Sequence, residues 1–266
     1  MRKKRIGLIV FFLLYIFVTT KISGWLNIEP YQVGISLHND FIGVISIDKL
    51  QVASIILFLL INLLLTHIEI RISLKRIGLG FLFGIPSFLI MFLNIVQGDK
   101  IVLKAMSPGG WSLKILLMTI LYALISGLVI GVFEELLFRG VIFELLTKIF
   151  KKNAPVKAII GSSLIFGLTH AINYLDSPFW DTTNQIVYAI GIGMLFATIY
   201  YVTGNLLVPI LLHSLIDMTD IIFSMNTNLL DKASNSGLDP LSFLIFVGFS
   251  IISLLILRYY KIEKQA

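Results

Sequence analysis

Cysteine is missing from all 266 residues. That absence excludes a disulfide framework, a thiol nucleophile and any cysteine-ligated metal. Charge is scarce as well: Asp, Glu, Lys and Arg make up 14% of the chain against 57% hydrophobic residues, and the mean hydropathy is +0.94. So little charge excludes an ordinary soluble domain and points to an integral membrane protein with several spanning helices. No repeat of fixed period and no low-complexity segment occurs. The net charge of +6 falls mostly in short segments between apolar runs, as in loops facing the cytoplasm, which argues against nucleic acid as a partner.

Long apolar runs are what the chain has in abundance. Runs of about 17 to 25 residues suffice to span a bilayer, and eight candidates lie at 6–24, 51–68, 77–97, 114–147, 156–173, 184–202, 205–224 and 240–259. The expected fold class is therefore all-α, a polytopic membrane protein built as a single bundle of about eight transmembrane helices. The first run follows "MRKKR" but ends in "TTKISGW", without a small-x-small cleavage site, and reads as a retained helix. Pro86 should bend the third span, and the fourth is long enough to tilt or protrude. With both termini cytoplasmic, the inner segments hold 14 of the 21 basic residues. Lys21, Lys49, Lys100, Lys104, Lys114 and Lys232 fall outside, and Arg139 within a span.

Ionisable side chains at membrane depth are costly and mark candidate sites. They occur in "EELLFR" (Glu134, Glu135, Arg139), "FGLTH" (Phe166, His170) and "HSLID" (His213, Asp217). Residues four apart share a helix face, so Glu135 can pair with Arg139 in a supporting role while Glu134 projects about 100° away. Glu134 precedes Lys148 by 14 residues and His170 follows Lys157 by 13, placing both about 20 Å from their flanking lysines. His213, nine residues beyond Gly204, lies roughly 14 Å in, with Asp217 one turn deeper. Asn173 shares a face with His170 and is a candidate to orient it. His38 and His67 read as solvated or interfacial.

A carboxylate and an imidazole sharing one water can make it nucleophilic, and a second imidazole can donate to the oxyanion formed at a carbonyl. The set suits amide hydrolysis in or beside the membrane. No Ser-x-Gly nucleophile turn accompanies these residues. Zinc held by Glu134, His170 and His213 is the nearest chemical alternative, but the His-Glu-x-x-His pattern is missing. The cofactor expectation is therefore none.

The three motifs, in order and on separate helices, resemble those of the CAAX protease and bacteriocin-processing family of intramembrane proteases, which includes the type II CAAX prenyl endopeptidases. The resemblance covers about residues 115–225. It divides the chain into amino-terminal helices (1–112), core helices carrying the motifs (113–225), and an outer loop with the last helix (226–266). It implies a glutamate-dependent endopeptidase with its cavity open to the cytoplasm. Glu134 would be the general base and His170 its partner in holding water; His213 with residue 217 would form the oxyanion side, and Glu135 and Arg139 would shape the site. Prenyl-processing members usually carry asparagine where this chain has Asp217. An ionised aspartate cannot donate to an oxyanion, so Asp217 acts either as a neutral acid or by orienting His213.

The expected partners are the lipid bilayer and a hydrophobic peptide or membrane-protein substrate, with oligomeric state open. The expected location is a bacterial cell membrane, with bacteriocin self-immunity or peptide maturation as the associated roles. A non-catalytic membrane partner and a proton-coupled transporter are the alternatives from other functional classes.

Overall fold

The computed structural model describes residues 2–25, 31–37, 40–47, 49–97, 113–224 and 237–263. His38, Lys100, Lys104 and Lys232 lie outside them. Each of the eight apolar runs coincides with a helix or a bent helix pair. Helix α1 spans Arg2–Trp25, and α2 (Lys49–Ile61) closes with a π-helical turn at Asn62–Thr66. Between them lies an antiparallel hairpin, β1 (Tyr31–Leu37) and β2 (Asp40–Ile47), with a register shift at Ile35/Ser36. It is the one departure from the expected all-helical fold among the described residues.

Helices α3 (Ile77–Gly84) and α4 (Ser87–Gln97) are the two halves of the third run. They meet at 54° across Ile85 and Pro86, where the proline ring removes a backbone donor and obstructs a continuous helix. Helix α5 (Leu113–Glu135) continues through a π-helical segment, Leu136–Phe143, into α6 (Glu144–Ile149). Then follow α7 (Ala154–Thr169) with a 3-10 extension at His170–Leu175, α8 (Phe179–Thr203), α9 (Leu207–Ser224) and α10 (Pro240–Glu263). By length and apolar composition, four of these rods are candidate membrane spans, or five if the bent pair counts as one. The longest, Leu117–Ile149, runs 33 residues and matches the overlong fourth run.

Local sequence explains the connections. Pro155 sits in the first turn of α7, where a missing donor is tolerated. Gly204 ends α8 in the left-handed conformation at φ 63°. Buried Asn205 then ties the α8–α9 turn to the 73–75 segment: its Oδ1 accepts from the amides of Leu207 and Ser73, and its Nδ2 donates to the Lys75 carbonyl.

The core lies around α8, the most buried of the candidate spans. On one side Phe133, Leu137, Phe138, Ile142 and Phe166 pack together; on the other, Leu195, Phe196, Ile199, Leu212 and Phe249 do. Small residues set how closely the helices approach. In the Gly127-x-x-x-Gly131 stretch of α5, a Cβ at Gly127 would stand 2.6 Å from the Ser214 carbonyl oxygen and 3.0 Å from the Met218 nitrogen. Helix α9 therefore lies backbone to backbone against α5, the arrangement small-xxx-small seams allow in membranes. Gly167 and Gly193 provide the corresponding seam between α7 and α8.

Candidate active site

The three motif helices converge through these seams. The glycine seam sets α9 against α5, so that His213, adjacent to Ser214, faces the end of α5. Glu135 there is fully buried, and its Oε1 accepts from Arg139 Nη1 at 2.6 Å and from His213 Nδ1 at 2.8 Å. The expected Glu135–Arg139 pair thus forms, even though Arg139 lies in the π-helical segment. Such segments widen a helix and recur beside functional sites. Arg139 is 1% exposed; its Nη2 donates to the Gly193 carbonyl at 3.3 Å, and its guanidinium lies 4.7 Å from the Phe166 ring centroid. Glu135 offsets the cost of burying this charge, and the aromatic face adds a cation–π contact.

Glu134 projects differently, as the 100° step requires. It is partly exposed, and its Oε2 stands 3.5 Å from His213 Nε2. Asp217 Oδ2 is 3.7 Å from the same nitrogen. His213 is therefore held through Nδ1 by Glu135 and turns Nε2 towards Glu134 and Asp217. Asp217 thus contacts His213 as one of the two sequence-based options requires, and Glu135, on another helix, is a further partner that the sequence did not show, accepting from the other ring nitrogen.

His170 sits where α7 passes into its 3-10 extension. Its Nδ1 is 3.1 Å from the Phe166 carbonyl oxygen. Since a carbonyl only accepts, Nδ1 carries the proton and Nε2 keeps its lone pair in the neutral ring. Phe166 stands between the two imidazoles, edge-to-face with His170 at 5.2 Å and with His213 at 5.9 Å between ring centroids. Asn173 does not serve as the orienting group anticipated for it: its Nδ2 donates to Gln185 Oε1 at 2.8 Å, bracing the 3-10 turn against α8. His67 is an exposed residue at the end of the second run, as expected.

Glu134, Phe166, His170, His213 and Asp217 all line one cavity of about 810 Å³. The sequence reading missed several of its walls: Asn94 from α4, Gln185 and Tyr188 from α8, and Asp220 from α9. It also missed Phe196, whose ring lies 5.8 Å from that of His213. The Gly127-x-x-x-Gly131 spacing is the one sequence signal that foretells the α5–α9 contact. Among the described residues, no group of three or more His, Cys, Asp or Glu side chains is arranged to hold a metal ion.

The cavity extends to Ser177, Pro178 and Asp181 at the α7–α8 turn and to Asp239 before α10. The basic loops lie at the other end of the bundle, where Arg5 Nη1 donates to the Lys148 carbonyl and Arg71 pairs with Glu144. The two sequence expectations, cytoplasmic termini beside these loops and a cavity open to the cytoplasm, are therefore incompatible. They belong to opposite ends of the same helices.

Residues 116–219 match a family model described as Type II CAAX prenyl endopeptidase Rce1-like. The match contains all three motifs and supports the resemblance to the CAAX protease and bacteriocin-processing family. That is a protease family; over these residues the chain is similar to it, which supports a hydrolase, and the long apolar helices suggest a membrane protein. No curated protein and no solved structure matches the chain.

Proposed function

We propose that the chain is a glutamate-dependent intramembrane endopeptidase that hydrolyses a hydrophobic or membrane-anchored peptide with an activated water. The reading rests on one observation above the others: Glu134, His170 and His213, from three helices, border a single cavity. Glu134 is the general base. His170 accepts a hydrogen bond at Nε2 from one O–H of the water while Glu134 takes the other proton, so that the oxygen attacks the scissile carbonyl, and Glu134 then passes that proton to the leaving amine nitrogen. In its imidazolium form His213 donates from both nitrogens, through Nδ1 to Glu135 and through Nε2 to the oxygen that becomes negative on attack. Glu135 and Arg139 are positioning residues, acting through His213 and through the packing of Phe166. Asp217, beside the same Nε2, stands where a neutral carboxyl could donate to that oxygen too.

Water, not a metal-bound hydroxide, is the nucleophile in this reading. Eight spans with both termini cytoplasmic, in a bacterial cell membrane, complete it, with bacteriocin self-immunity or peptide maturation as the roles that suit a membrane endopeptidase. Comparison of membrane peptides from cells carrying the intact chain and the Glu134→Ala variant would find the substrate. Glu134→Ala and His170→Ala should each abolish its cleavage while membrane insertion stays intact. Full cleavage by either variant refutes the mechanism. Immunity or signalling that survives Glu134→Gln would instead support a non-catalytic partner.

A further inference from the structure

The two ends of the bundle differ in charge. At one end the turn 203–206 meets the 71–76 segment: Leu206 N donates to the Arg71 carbonyl, and Arg76 Nη1 to that of Val202. The end of α6 and the α6–α7 loop, with Lys148, Lys151 and Lys152, join them through the Arg71–Glu144 pair, and Arg5 of α1 donates to the Lys148 carbonyl. The carboxyl end of α10, with Arg258 and Lys261, arrives there as well, its Tyr260 ring 5.6 Å from that of Tyr201. The segments that frame the cavity and its opening, 170–203, 207–222 and 237–257, contain no lysine or arginine. Lys21, Lys49 and Lys114 fall near the opposite ends of α1, α2 and α5, outside these segments.

Short loops rich in lysine and arginine stay in the cytoplasm, whereas acidic residues carry little weight in orientation. That bias assigns the basic end to the cytoplasmic face. A second feature places the opening at the opposite boundary of the bilayer. Tyr174, Phe179 and Trp180 are exposed next to the α7–α8 turn and touch in series, Tyr174 stacked on Phe179 at 5.2 Å and Phe179 edge-to-face with Trp180 at 5.3 Å between centroids. Exposed aromatic side chains of this kind settle at the headgroup level. Glu134 is about 20 Å from Lys148 along the helix axis, and a hydrocarbon core is about 30 Å thick, so the carboxylate lies closer to the aromatic boundary.

We infer that the cavity is entered from the extracytoplasmic face. Resting on the protease reading, this assigns the substrate class: a peptide presented outside the cytoplasm, either exported and lodged at the outer leaflet or forming the outer end of a membrane protein. Asn184 closes part of the entrance by accepting from the Asp239 amide at 2.8 Å, and this joins α8 to the start of α10 as a fixed rim. A peptide lying at the interface could reach Glu134 by descending past this rim.

The cysteine-free chain allows a direct test with no background. Ser177→Cys, on the exposed turn at the opening, and Lys152→Cys, on the exposed basic loop, are introduced separately into the full chain. Intact cells are treated with a membrane-impermeant maleimide, then compared with permeabilised cells. Ser177→Cys should label equally in both, and Lys152→Cys only after permeabilisation. Gln185→Cys, on the cavity wall, should react with a small charged thiosulfonate added outside. Labelling of Lys152→Cys in intact cells, or protection of Ser177→Cys until the membrane is breached, overturns the assignment. A Gln185→Cys that resists the outside reagent but reacts once cells are permeabilised does the same. None of these readouts needs turnover, so the protease reading fails separately, through cleavage by Glu134→Ala.

Discussion

Gly127→Ala tests whether the helix seam, not the motif residues alone, builds the site. The added methyl would stand 2.6 Å from the Ser214 carbonyl oxygen and 3.0 Å from the Met218 nitrogen. Both are backbone atoms, so no rotamer change can relieve the overlap. Ordinary contact begins near 3.4 Å, so α9 must retreat by about 0.8 Å. His213 adjoins Ser214 and moves with it. Its 2.8 Å bond to Glu135 then stretches to about 3.6 Å, beyond hydrogen-bond range. Overpacking of this kind costs about 1–3 kcal/mol, against about 1 kcal/mol gained from replacing a helical glycine by alanine. The net result is a destabilisation of about 0–2 kcal/mol. Gly248→Ala in α10, which meets nothing within 4 Å, receives only the gain and serves as the control. Unfolding in mixed detergent micelles should separate the two variants by about 1–3 kcal/mol. Displacing a catalytic group by nearly 1 Å should also slow cleavage about 10²-fold in Gly127→Ala alone. Equal stability and equal turnover in both variants would show that the close approach of α9 to α5 does not govern the site.

The buried ion pair and the choice of nucleophile give two more expectations. Glu135→Ala leaves the Arg139 charge buried without its carboxylate and should cost about 3–5 kcal/mol in the same unfolding assay, whereas Glu135→Leu combined with Arg139→Met should recover much of that loss; an equal loss in the single and double variants would count against the pairing. Treatment of the purified protein with a strong chelator should leave cleavage unchanged, and a loss reversed by added zinc would make the metal reading the correct one.

What the sequence made legible divides by distance along the chain. The helix positions follow from unbroken apolar runs, and Pro86 bends its rod because a proline's effect is local. Glu135 and Arg139 pair as their four-residue spacing requires, and the step between adjacent residues turns Glu134 into the cavity. The partner of His213 was hidden because Glu135 is 78 residues away and reaches it only through the α5–α9 seam. Asn173 illustrates the opposite limit. Its spacing from His170 satisfies a helical face, but α7 has already tightened into a 3-10 turn there, which delivers the side chain to Gln185. The conflict between cytoplasmic termini and a cytoplasmic cavity has a related cause. Depth measured from the flanking lysines placed the acid–base groups correctly along the helices, but depth alone does not say from which end water reaches them. That depends on which helix ends border the cavity, and here Ser177, Asp181 and Asp239, at the ends of α7, α8 and α10 away from the basic loops, line it. The same arrangement accounts for the buried Arg139. A fixed cation between the closed end and the cavity holds Glu135 in place, Glu135 holds His213, and Glu134 is left as the carboxylate free to meet water.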